Sequence, residues 1–159
     1  MSMNTPVTHR PAARLLVLDG QDRLLLFHFI HRSGALAGDS YWAPPGGGLE
    51  EGESFEAAAC RELLEETGIA IAHPGSAVAR REVTFRMPDG GMVRSDERYF
   101  LIRVGQPELS TAGWSELERA TLAGHAWWTR PALARLADQV WPQDVADMLV
   151  EAGIWPSGA

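Results

Sequence analysis

Apolar positions first cluster in two strand-length runs, residues 13–18 and 24–29, separated by the turn formers Asp19-Gly20-Gln21-Asp22. That pattern predicts a β-hairpin. A polar, glycine-containing stretch from His31 to Ser40 leads to a short strand at Tyr41-Trp42-Ala43. Pro44-Pro45-Gly46-Gly47-Gly48 then breaks regular structure and begins a loop. From Phe55 to Thr67 the pattern predicts a helix, with Ser54 as N-cap, Glu56 in the first turn and Gly68 at the left-handed C-terminal position. Two long strands, 77–85 and 92–104, flank the turn Pro88-Asp89-Gly90-Gly91. Residues 105–125 read as a loop, 126–129 as a strand, and two helical stretches follow, one starting near Pro131 and one over 144–152. Hairpins, a central helix and C-terminal helices together predict an α/β fold with a mixed sheet flanked by helices.

The length of 159 residues suits a single domain over 1–159, with the first ten residues expected to be flexible. A 45% hydrophobic and 22% charged composition is that of a globular chain and excludes a disordered one. Cys60 is the single cysteine, so neither an internal disulfide nor a thiolate zinc site can form; on the helix it reads as inert core. No run approaches the length of a membrane span and no secretory signal pattern opens the chain, so a soluble cytoplasmic protein without a membrane partner is the expectation.

Charge adds the first chemical clue. The formal net charge is −7, and all 14 basic residues are Arg. Residues 47–69 contain seven acids and one Arg, a local net of −6, which leaves the rest of the chain nearly neutral. A pI near 5.2 and no basic stripe argue against a nucleic-acid partner.

The acids have a pattern. With Glu62 set at zero and about 100° per residue, Glu65 falls near about 300° and Glu66 near about 40°. The opposite arc carries Leu63, Thr67, Cys60, Leu64 and Ala57, which places the apolar stripe against the sheet and the carboxylates away from it. Arg61 lies one turn before Glu65, within reach of an i, i+4 pair. Three like charges on one arc raise one another's pKa unless a cation intervenes. Hard oxygen ligands without nearby His or Cys suit Mg²⁺ or Mn²⁺.

These residues belong to a longer pattern. Gly47, five residues, Glu53, seven residues, then Arg61-Glu62-Leu63-Leu64-Glu65-Glu66-Thr67-Gly68-Ile69 resembles the complete box of the Nudix hydrolases. The resemblance implies an α/β/α sandwich and Mg²⁺-dependent hydrolysis of a phosphoanhydride bond in a nucleoside diphosphate linked to another moiety. It implies Glu62 and Glu66 as principal metal ligands, Glu65 as a further ligand or orienter of water, and the Gly46 carbonyl as another ligand. Glu53 and Arg61 would brace the loop and complete the catalytic set with Glu65 and Glu66. The general base would be a box glutamate or a later one, for which Glu97, Glu116 and Glu118 are candidates.

Six Arg lie between Ala77 and Val104, and guanidinium groups bind phosphate in bidentate fashion. Arg86 and Arg98, with Arg32 in the earlier loop, are therefore the candidate substrate-binding residues. Features of named Nudix subfamilies are lacking: Thr84-Phe85-Arg86-Met87 stands where ADP-ribose and diadenosine polyphosphate hydrolases carry Pro or Tyr. A nucleoside triphosphate or a nucleotide-sugar is the leading substrate. The alternative is a nucleotide-binding sensor without turnover, against which stands the full set of box carboxylates. The resemblance leaves a homodimer open.

Overall fold

The computed structural model describes residues 7–105 and 108–157. An eight-stranded sheet is built from β1 (Val7–His9), β2 (Ala12–Leu18), β3 (Leu24–Ile30), β4 (Ser40–Ala43), β5 (Gly46–Gly48), β6 (Ala77–Arg86), β7 (Met92–Arg103) and β8 (Leu122–Trp128). Its order is β1-β7-β2-β3-β4, with β5 paired to β2, β6 to β7 and β8 to β3. The expected hairpin is β2 (Ala12–Leu18) and β3 (Leu24–Ile30), with β4 at Ser40–Ala43. The long strands are β6 (Ala77–Arg86) and β7 (Met92–Arg103), and β7 lies parallel to β2 with Ala13 opposite Arg98 and Leu15 opposite Phe100. Of the residues expected to be flexible, 1–6 lie outside the described ones, whereas β1 (Val7–His9) pairs in parallel with β7.

Alternation along β2 sends its side chains to two cores. Ala13, Leu15 and Val17 join Ala58, Ala59 and Leu63 of the helix α1 (Phe55–Thr67), together with Leu25, Phe27 and Phe100. Leu16 and Leu18 face the other way, onto Val145, Met148 and Leu149 of α4 (Val145–Glu151) and Leu133 of α3 (Arg130–Ala134). A mixed sheet between helical layers is thus the architecture. Burying a side chain such as Leu63 supplies roughly 2 kcal/mol of this packing.

The expected caps are present: the Ser54 hydroxyl accepts from the Ala57 N–H at 3.0 Å, and Gly68 is left-handed.

Three expectations are corrected. Gly46–Gly48 is not loop but a short strand, β5, antiparallel to β2. The register of β2 with β3 is a single pair, Leu18 with Leu24, so the first half of β2 has backbone groups to offer, and β5 takes them. Residues 105–125 are not one loop. Within them lie α2 (Glu116–Thr121) and the start of β8 (Leu122–Trp128), which pairs along β3; residues 106–107 lie outside the described ones. The signal for α2 is local, a capping box in which Ser115 and Glu118 each bond the other's backbone N–H.

The third correction concerns α1. Its buried side is Ala58, Ala59, Glu62, Leu63, Glu66 and Thr67, while Ala57 is exposed and Leu64 is 52% exposed. Two of the three carboxylates therefore point inward. Hydrophobicity alone misplaced the stripe by part of a turn, because the surface under this part of the helix is the bare glycine strand β5 rather than an apolar sheet face.

Candidate metal and phosphate site

Glycine is what lets the carboxylates in. A Cβ on Gly47 would stand 2.5 Å from Glu62 Oε1, so the first box glycine gives the carboxylate its space. One residue earlier, the Gly46 N–H donates to Glu66 Oε2 at 2.9 Å. Glu62 and Glu66 are 8% and 5% exposed. A third carboxylate arrives from α2: Glu62, Glu66 and Glu118 each present an oxygen, all within 4.8 Å of one another.

Burial and like charge set the protonation of this trio. Glu66 is held well above the usual carboxylate value, first by burial, then by the Glu62 charge and contact with Glu118. Glu62 is also raised, by burial first, although Arg61 pulls the other way. Carboxylates this close need a proton or a cation between them. The donor set, three carboxylate oxygens beside the Gly46 backbone, suits a hard, oxygen-seeking divalent ion such as Mg²⁺ or Mn²⁺.

Arg61 organises the opposite flank. Its Nε and Nη2 each donate to Glu53 at 2.8 Å, a two-pronged grip. Its Nη1 reaches Glu62 at 3.0 Å and Glu65 at 3.2 Å, and Nη2 also reaches the Gly48 carbonyl at 3.0 Å. The guanidinium therefore ties helix to strand β5. Its hydrogen bonds hold the Glu53 carboxyl below the usual range. Glu65, 42% exposed at the side chain, stays at the solvent edge.

Glu118 is brought in by a strap that composition did not reveal. The Ser110 N–H donates to the Thr67 carbonyl at 2.8 Å, and the Trp114 indole N–H donates to the Glu66 carbonyl at 2.9 Å. A Cβ on Gly113 would lie 2.7 Å from the Glu65 carbonyl oxygen, so only glycine allows this approach to the helix backbone. Trp114 packs edge-on against Phe27 at 6.1 Å. The strap thus clasps the last turn of α1 immediately before α2 begins.

The other expected residues fall elsewhere. Glu116 is exposed in the first turn of α2 and stays out of the trio. Glu97 lies inside β7, buried, with its carboxylate held by Arg14, Ser95 and Tyr99. Arg98 lies over the Phe55 ring at 4.0 Å, at the start of α1. Arg32 and Arg86 are exposed, and neither bonds the carboxylate trio among the described residues. Cys60 is half-buried rather than core. No helix among the described residues is long and apolar enough to cross a membrane.

Comparison with known proteins agrees with this fold. The NUDIX domain family matches residues 8–146. An RNA pyrophosphohydrolase of Novosphingobium aromaticivorans is 31% identical over 102 residues, covering 59% of this chain and 61% of that protein. An RNA pyrophosphohydrolase of Sphingopyxis alaskensis is 34% identical over 107 residues, covering 60% of this chain and 63% of that protein. The chain spans less than two thirds of the length of these relatives. The crystal structure of the MutT protein from Methanosarcina mazei Go1 has the same fold, with a TM-score of 0.63 at 20% identity, over 92% of this chain and 94% of that one. With the box intact, its carboxylates gathered on β5 and the family match covering most of its length, the chain belongs to the NUDIX domain family.

Proposed function

We propose that the protein is a Mg²⁺- or Mn²⁺-dependent pyrophosphohydrolase that cleaves a phosphoanhydride bond of a nucleotide. One observation carries this reading: Glu62, Glu66 and Glu118 converge within 4.8 Å, with no positively charged side chain bonded to Glu66 among the described residues. Such a trio is held at a cost unless it serves a cation. Glu62, Glu66 and Glu118 would hold the ion, beside the Gly46 backbone. A bound divalent ion neutralises phosphate charge and acidifies its water.

The chain's own residues supply the rest. Arg61 keeps Glu62 and Glu65 in place and ties both to β5. With the trio assigned to the ion, Glu65 is the carboxylate left to accept the proton of the attacking water, tethered by Arg61 at 3.2 Å and open to solvent. Glu97 is unsuited to that task because its oxygens already accept from three side chains.

The favoured substrate is a nucleoside triphosphate. A second reading, the triphosphorylated 5′ end of an RNA, is favoured by the relatives named RNA pyrophosphohydrolases. Phosphate release with Mg²⁺ or Mn²⁺ is measured on dGTP, GTP and a 5′-triphosphorylated RNA oligomer with coupling to inorganic pyrophosphatase, and on ADP-ribose with coupling to a phosphatase that acts on the AMP and ribose 5-phosphate released. Turnover that Glu66→Gln abolishes is expected. Tight nucleotide binding with no turnover of any substrate would instead establish the sensor alternative.

A further inference from the structure

On the face of β2 that meets α4, Leu16 and Leu18 are fully buried, and the same row continues at Arg14. A guanidinium there is unexpected on packing grounds, since an apolar side chain would extend the core. Its position along the strand gives the reason. Arg14 stands directly opposite Gly46 in the β2–β5 pairing, and Gly46 is the residue whose N–H donates to Glu66. The apolar row ends in a cation at the rung where the sheet meets the carboxylate site.

Glu97 fixes that cation. Arg14 Nε and Nη2 each lie 3.1 Å from Glu97 Oε2. The Ser95 hydroxyl donates to the same oxygen at 3.2 Å, and the Tyr99 hydroxyl donates to Oε1 at 3.0 Å. Arg14 and Glu97 are thus not equally committed. The carboxylate is filled, whereas a guanidinium has five N–H donors and Arg14 Nη1 has no acceptor among the described residues. The Arg14 side chain is 25% exposed, so those donors reach solvent. Its charge also acts on Glu66 and on Tyr41, whose hydroxyl lies 3.0 Å from His31 Nε2.

We propose that Arg14 binds a phosphate of the substrate and that Glu97, braced by Ser95 and Tyr99, is the positioning residue that aims it. Arg14 would then grip the phosphate chain from beside β5 while the carboxylate site engages it through the metal. The identity of the anion rests on the pyrophosphohydrolase reading, but the binding itself needs no turnover.

The test is calorimetric titration of inorganic pyrophosphate in Mg²⁺ buffer into wild type, Arg14→Gln, Arg14→Lys, Glu97→Gln and Glu97→Asp, with Tm recorded for each. Loss of a charge-assisted contact weakens pyrophosphate about 10–100-fold in Arg14→Gln. Arg14→Lys recovers part of the affinity, because a point charge remains without the fork. Glu97→Gln weakens binding several-fold and Glu97→Asp restores it. With dGTP, Arg14→Gln raises KM while kcat changes little.

Pyrophosphate affinity within about twofold of wild type in both Arg14→Lys and Glu97→Gln, whatever their Tm, overturns the proposal. So does affinity unchanged in a folded Arg14→Gln. Arg14-dependent pyrophosphate binding without turnover of any nucleotide would sink the hydrolase reading and leave this inference standing. Turnover with KM unchanged in Arg14→Gln would do the reverse.

Discussion

Two kinds of carboxylate gather around α1. On the flank of Arg61, Glu53, Glu65 and part of Glu62 share a guanidinium at 2.8–3.2 Å, and the Glu53 carboxyl is pulled below its ordinary range. A single turn away, Glu66 meets Glu62, Glu118 and a backbone N–H, and burial with like charge pushes it far above that range. The first flank is complete as folded. The second needs a proton or a cation, and under the proposed function a divalent cation supplies the charge. The same residue type does structural work where the counter-charge is built in and, in the proposed function, chemical work where it is withheld.

The largest effect is expected at the incomplete flank. Glu66→Gln should lower kcat/KM by at least about 10³-fold, beyond the 10–100-fold common for residues that only support a metal ligand. Glu118→Gln should fall nearer that supporting range. The comparison breaks if both leave turnover unchanged in a kinetic assay.

At the complete flank, Arg61→Gln removes the charge that Glu53, Glu62 and Glu65 share. Breaking a largely buried pair on one side leaves uncompensated charge, so urea unfolding should show a loss of about 2–4 kcal/mol. Activity should drop about 10–100-fold as the carboxylates lose their alignment.

pH separates the flanks by sign. Glu66 has a raised folded pKa, so the folded state holds the extra proton; its contribution is present at low pH and fades as pH rises through the folded value. Glu53 is lowered, so its contribution is present above the ordinary carboxylate value and fades as pH falls through the folded one. Metal-free protein should therefore lose Tm as pH rises above the ordinary carboxylate value toward the raised folded value of Glu66, and Mg²⁺ should restore more at the higher pH. Glu66→Gln should flatten that slope, as scanning calorimetry can check.

The smallest effect belongs to the strap. Trp114→Phe keeps the packing on Phe27 but deletes the bond to the Glu66 carbonyl. About 1 kcal/mol of stability should go with it, seen as a lower urea midpoint. Nucleotide turnover should change less than in Glu118→Gln.

How much of this the chain displays depends on the range of the interactions. Ser54, Gly68 and the helix between them are local, and turn chemistry with capping marks them in the sequence. The box spacing likewise marks Glu62, Glu66 and Arg61, because residues one helical turn apart meet whatever the rest of the fold does. The inward tilt of Glu62 and Glu66 was hidden, since it depends on β5 supplying a glycine surface from another part of the chain. Glu118 stood among three candidates, and only the clasp of Trp114 and Gly113 on α1 singles it out. Its capping partner Ser115, three residues earlier, was the local signal for α2. Glu97 shows the converse: an acid in a strand reads as a candidate base until Arg14, brought alongside by the parallel β2–β7 pairing, and Ser95 take one of its oxygens and Tyr99 the other.

The central claim is that the Glu62–Glu66–Glu118 trio is built for a divalent cation. Electron paramagnetic resonance of free Mn²⁺, titrated against wild type and Glu66→Gln at neutral pH, tests it most directly. Wild type should bind Mn²⁺ with displacement by Mg²⁺, and Glu66→Gln should bind at least about tenfold more weakly. Equal Mn²⁺ affinity in the two proteins would contradict it.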